Sequence, residues 1–128
     1  MPVRIVRLGS PRARGEGLRV GTVRRPPRGV PKSEHASRDF YDVWLPELAP
    51  SEELVREALQ AQDERAWKAF VRKYRKEMKR PEAAHLLSFV AALSKTTNLA
   101  VGCYCEDPER CHRSVLGELL AEHGAEVT

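Results

Sequence analysis

Nowhere in this chain do about 18 apolar residues follow one another, the run that a membrane-crossing helix requires. The first residues, Met1-Pro-Val-Arg4, also lack the apolar centre of a secretory signal. Neither membrane insertion nor export is expected. Cysteine is scarce: there are three in 128 residues, at Cys103, Cys105 and Cys111. An odd number crowded into so short a stretch is a poor disulfide framework, which points to the reducing cytoplasm. There is no Cys-x-x-Cys pair, no internal repeat and no low-complexity tract. What is present is 41% apolar and 31% charged residues, the balance of a globular protein rather than a disordered one. At this length the expectation is a single domain over residues 1–128 that buries about two-thirds of its unfolded surface.

Charge is unevenly placed. Residues 1–38 hold ten Lys/Arg against Glu16 and Glu34, a net +8, within a chain total of +4. A basic third of this kind can attract phosphate or nucleic acid, and it can equally be a set of solvated side chains.

Hydrophobic patterning gives the elements. Val3–Leu8 mixes β-branched and basic residues and reads as a strand. Ser10–Gly17 is a Gly/Pro-punctuated loop, and Leu18–Arg24 resumes a strand with Leu18, Val20 and Thr22 on one face. Arg25-Pro-Pro-Arg-Gly-Val-Pro-Lys32 supplies too few ladder donors for a central strand, so it is an extended loop carrying three cations. Asp39–Leu45 fits a strand or one helical turn and is read here as a strand. Ser51 caps a short helix to about Gln60, and Asp63 caps a longer one with Trp67, Phe70, Val71, Tyr74 and Met78 at helical spacing. Pro81 opens a third helix buried by Leu86, Leu87, Val90 and Leu93.

The C-terminal stretch organises the rest. Asn98–Tyr104 reads as a buried strand, followed by an acidic loop containing Asp107-Pro108. A last helix begins near Cys111 and ends before Gly124, a natural C-cap. All three cysteines lie in this strand–loop–helix unit, the last followed directly by His112, Arg113 and Ser114. The order β-β-(β)-α-α-α-β-α predicts an α/β domain with a mixed sheet flanked by helices.

Several motifs together resemble a known family. Val20-Gly-Thr-Val-Arg24, Pro27-Arg-Gly-Val-Pro-Lys32, Trp44, Leu48-Ala-Pro-Ser51 and Trp67-x-x-Phe70-x-x-x-Tyr74-x-x-Glu77 resemble the YeaO-like branch of the bacterial "domain of unknown function 488" proteins. Cys111-His-Arg-Ser114 with an upstream strand cysteine is similar to the other branch of that family. The resemblance spans roughly residues 18–123 and implies a compact, Rossmann-like α/β fold in a small cytoplasmic protein, with no particular activity. Val23 stands where the first branch tends to have an acid, and Arg25-Pro26 where it has Leu-Trp.

The residues suggest three chemistries. A strand that turns into a helix leaves backbone N–H groups free to meet an anion. Arg113 in the first turn of that helix is electrostatically misplaced unless it meets negative charge. Glu106, Asp107 and Glu109 could supply that charge internally. If the strands end on one side of the sheet, Arg24 and Arg28 would converge there with Arg113, His112 and Ser114. The expected ligand is then a small phosphorylated or nucleotide-like molecule, and the protein a small transferase or hydrolase with Cys105, Cys111 or His112 in the chemistry. The rival is a non-catalytic nucleic-acid-binding or regulatory module using the basic N-terminal third, and a third option is a redox sensor at Cys105 or Cys111. Thiol signatures are missing, because six residues after Cys103 stands Glu109 rather than the arginine of a phosphatase loop. Cys103 reads as a buried apolar residue. A zinc site could use Cys103, Cys105, Cys111 and His112, but adjacent Cys and His rarely bind one ion and the paired spacing of zinc sites is absent, so neither a metal nor another cofactor is expected. His35, His85 and His123 read as structural or solvated.

Overall fold

The computed structural model describes residues 2–105 and 111–128, so the acidic loop and any pairing by Glu106, Asp107 or Glu109 lie outside the described residues. Its elements are β1 (Val3–Arg7), β2 (Leu18–Gly21), β3 (Val43–Trp44), α1 (Glu52–Gln60), α2 (Glu64–Glu77), α3 (Pro81–Leu93), β4 (Leu99–Cys103) and α4 (His112–Glu122). The strands form one sheet in the order β1-β4-β2-β3.

Every strand pairing is parallel, so the sheet is not the mixed one expected from the order of elements. A ten-residue return between the first two strands reads as a reversal in sequence. Yet residues 8–17 can span about 33 Å at full extension, enough to run back beside a five-residue strand and start the next in the same direction. The slot left between β1 and β2 is filled by β4, whose five residues are all buried. A parallel strand covered on both faces reads as a continuous apolar run, and Leu99-Ala-Val-Gly-Cys103 is one.

The two faces are covered differently. Val3, Ile5, Val20, Leu99 and Val101 pack with residues of all four helices, among them Leu54, Phe70, Tyr74, Leu87, Leu116 and Leu120, in one apolar cluster. Full burial of each such leucine contributes about 2 kcal/mol. The second cluster, Leu8, Val23, Tyr41, Cys103 and Cys111 with Val6, Phe40 and Tyr104, holds no residue from within a described helix. Here loops cover the sheet. Arg19 is wholly buried, and its guanidinium bonds both Glu16 carboxylate oxygens at 2.8 Å and the carbonyls of Ser10 and Asp39. That network anchors the return segment.

The expected strand over residues 39–45 contracts to Val43–Trp44 for a related reason. Asp39 has a left-handed backbone (φ 62°), and the Asp42 carboxylate accepts from the Arg19 N–H and from Arg12. These aspartates hold a loop in place instead of extending a ladder. The predicted caps are present: Ser51 accepts from Leu54 N–H, and Asp63 from Ala66 N–H at 2.7 Å. Each cap is worth about 1 kcal/mol. Gly124 takes the left-handed conformation (φ 103°) that ends α4. Among the described residues no helix is long and apolar enough to cross a membrane.

Candidate active site at the carboxyl ends of the strands

In an all-parallel sheet every strand ends on the same side, and the crevice there is where such folds place ligands. The carboxyl ends of β2 and β4 here open into a cavity of about 480 Å³, roofed by the start of α1. Among the described residues its cationic lining is Arg24, Arg25, Arg28 and Arg56 and its acid is Glu52, and Cys103, Tyr104, Cys105 and His112 also face it. The opening of α1 contributes for a local reason. Arg24 donates from Nε to Pro50 O at 3.0 Å and from Nη2 to Ala49 O at 3.2 Å, tying the strand end to the segment before the Ser51 cap. Arg25 bonds Glu52 at 2.7 Å in an exposed pair, and Tyr104 holds the Arg25 carbonyl through its hydroxyl at 3.0 Å.

The inner wall is built by Cys111 and His112. Cys111 is the N-cap of α4, with an extended backbone (φ −131°, ψ 146°), and His112 is the first helical residue. That change of backbone conformation lets neighbours in sequence turn their side chains toward one another. The His112 ring packs edge-on against Tyr74, whose own hydroxyl is held by Leu48 O at 2.6 Å. His112 Nε2 lies 2.6 Å from Thr22 O, so Nε2 carries the proton and donates it to the carbonyl. The lone pair then sits on Nδ1, which faces Cys111 Sγ at 3.9 Å. Burial pushes His112 down to about 4; the Thr22 bond opposes that and the neighbouring Arg113 charge adds to it. The ring is therefore neutral at physiological pH. Cys103 and Cys111 are joined sulfur to sulfur, with Cα atoms 7.8 Å apart.

Of the residues singled out in the sequence, Arg24, Arg28, Cys105 and His112 line this one cavity, and Cys111 lies immediately behind it. Arg113 and Ser114 are elsewhere. Arg113 is buried, with Nη1 donating to Val6 O at 3.0 Å, so it fastens the start of α4 to β1. The Ser114 hydroxyl donates to Cys111 O at 3.0 Å as part of the first helical turn. Sequence reasoning missed Arg56 and Thr22, which nothing but proximity marks out. It also missed the role of Cys103: buried as expected, yet paired rather than merely packed. The remaining histidines are apart from this cavity; His35 Nε2 lies 3.2 Å from Val30 O, and His123 Nδ1 2.9 Å from Ser88 Oγ.

A family model described as the active DUF488-N3 subclade matches residues 3–124. No curated protein and no solved structure matches the chain.

Proposed function

From the premise that the chain belongs to the DUF488 family, within its active N3 subclade, we propose that it binds a small phosphate-bearing, nucleotide-like molecule in this cavity and acts on it as a small cytoplasmic transferase or hydrolase. One observation carries the reading: among the described residues, four arginines and one acid line a single crevice at the strand ends. Arginine presents a planar fork of donors that matches phosphate oxygens in pairs. Arg28, on the exposed loop after β2, and Arg56, from the first helix, supply charge from two separate segments. Arg24 is already committed to two carbonyls and fixes the wall. The reacting end of the ligand would face His112 and Cys111, with the exposed Cys105 at the rim. That the matching subclade is described as active supports a catalytic reading over a purely structural one.

The nucleic-acid alternative draws less support from the geometry. Arg12 and Arg19, two cations of the basic third, are spent on Asp39, Asp42 and Glu16 inside the domain.

Calorimetric titration with a nucleoside monophosphate, a nucleoside diphosphate and inorganic pyrophosphate tests the reading. We expect saturable binding of at least one of them, weakened about tenfold or more by Arg28→Ala, or about 1.4 kcal/mol. Absence of binding by all three, or unchanged affinity in Arg28→Ala, would sink it. Binding only to polynucleotides, falling steeply with salt, would favour the alternative.

A further inference from the structure

The geometry points to a metal site: in the reduced chain Cys103, Cys111 and His112 bind one zinc-like, thiophilic divalent ion through two sulfurs and Nδ1, leaving a fourth position open to the arginine-lined cavity. The ligand atoms of these three residues all lie within 4.8 Å of one another. Tetrahedral zinc with bonds of about 2.3 Å to sulfur and 2.0 Å to nitrogen sets its ligands about 3.5–3.8 Å apart. The 3.9 Å between Cys111 Sγ and His112 Nδ1 is close to that spacing. The Cα atoms of Cys103 and Cys111 stand 7.8 Å apart. Once the bond between them is reduced, the two sulfurs are free to stand on either side of one ion.

The surroundings complete the argument. A metal-bound imidazole needs its second nitrogen held by a hydrogen bond, which fixes the tautomer. Thr22 O does this for Nε2 at 2.6 Å. Thr22 is itself held, its hydroxyl donating to Gly102 O on the neighbouring strand at 3.0 Å. Two thiolates bring negative charge, and Cys111 occupies the N-cap position at the positive end of α4. Soft sulfur with one imidazole selects zinc over magnesium or calcium. A thiol or phosphine reductant first gives the Cys103–Cys111 bond two electrons, with two protons from solvent; as the ion binds, each thiol then releases its proton to solvent. Cys103 and His112 face the cavity, which gives the ion its way in and a water or ligand oxygen its place on the metal. Three protein ligands with one open position are the pattern of catalytic rather than structural zinc. Sequence spacing argued against a metal because adjacent Cys-His pairs rarely share one; the extended-to-helical step at Cys111 is what brings these two together.

The inference does not rest on the phosphate reading, since metal content is measured without any phosphate ligand. The full chain, reduced with a phosphine, is titrated with Co²⁺ and, separately, loaded with Zn²⁺, desalted and analysed for metal. We expect about one ion per chain, a sulfur-to-cobalt charge-transfer band and the intense visible bands of tetrahedral cobalt. Cys105→Ser should retain these. Cys103→Ser, Cys111→Ser and His112→Gln should bind at least about tenfold more weakly, with circular dichroism reporting whether each folds. Failure of the reduced wild-type chain to take up either ion overturns the proposal regardless of how the variants behave. So does a folded Cys103→Ser that binds as the wild type does. If metal binds but pyrophosphate and nucleotides do not, the metal site stands and the phosphate reading falls.

Discussion

Two regions of this molecule are built around arginine, and they use it in opposite ways. On the loop-covered face of the sheet, Arg19 is fully buried and each of its side-chain nitrogens meets an oxygen of Glu16, Ser10 or Asp39. At the strand ends, Arg25, Arg28 and Arg56 surround a crevice with one carboxylate, Glu52, among its described residues. The first arrangement is closed electrostatically and fixes topology, because it pins the segment that returns from β1 to β2. The second keeps more positive than negative charge among its described lining residues, since Glu52 pairs with Arg25 alone. The lesson is that a cation's sequence neighbourhood says little about its use. Partner count and burial decide.

That comparison can be broken most forcefully at Arg19. Replacing it with leucine leaves Glu16 buried without its counterion, and we expect a loss of about 3–5 kcal/mol in urea unfolding, enough to unfold a marginal domain. If Arg19→Leu unfolds within about 1 kcal/mol of wild type, the closed network is not what holds this face. Next comes Gly102 on β4, where an added Cβ would lie 2.5 Å from Val6 O on β1. Gly102→Ala should cost about 1–3 kcal/mol, because the obstacle is backbone rather than a side chain that can move aside.

A pH series sharpens the same contrast. Burial alone would raise the Glu16 carboxyl, but the Arg19 bond and charge, with the Ala13 N–H, outweigh it and hold the group below its ordinary 4.5. Below that value the unfolded chain binds the proton more readily than the folded one. Stability from this pair is therefore complete above about pH 4.5 and is lost as pH falls through the lower folded value. Thermal melts across this range should show a shallower acid slope in Glu16→Gln than in wild type. Equal slopes would place the acid sensitivity elsewhere. The smallest effect belongs to the crevice: Arg28→Ala and Arg25→Ala should shift stability by less than about 1 kcal/mol, even though Arg25 pairs with Glu52. A larger loss would mean that these cations hold the fold together rather than serve a ligand.

How much could be read in advance follows from the same physics. Helix starts were legible, since Ser51, Asp63 and Pro81 act on their own first turns and need no distant partner. The helical stripes, the β4 run and the glycine that ends α4 were legible for the same reason: local sequence repeats at the period of the structure it forms. Strand direction was not, because a return loop and a hairpin look alike until the buried Arg19–Glu16 pair shows which face the loop crosses. Of the residues singled out, Arg24, Arg28, Cys105 and His112 line one cavity, and each follows a strand end or begins a helix. Arg113 went to Val6 instead, a destination 107 positions away that no spacing rule reveals.

Taken alone, the chain's residues determined an α/β fold with the described helices at these places and a buried final strand. Those features depend on periodicity and capping, which act over a few residues. Tertiary structure decided that all strands run parallel, that four arginines from two segments share one cavity, and that Cys103 meets Cys111 beside His112. Each of those is a meeting of groups far apart in the chain or turned together by a change of backbone conformation. Only the packed sheet and its helices supply the geometry that brings them within bonding distance.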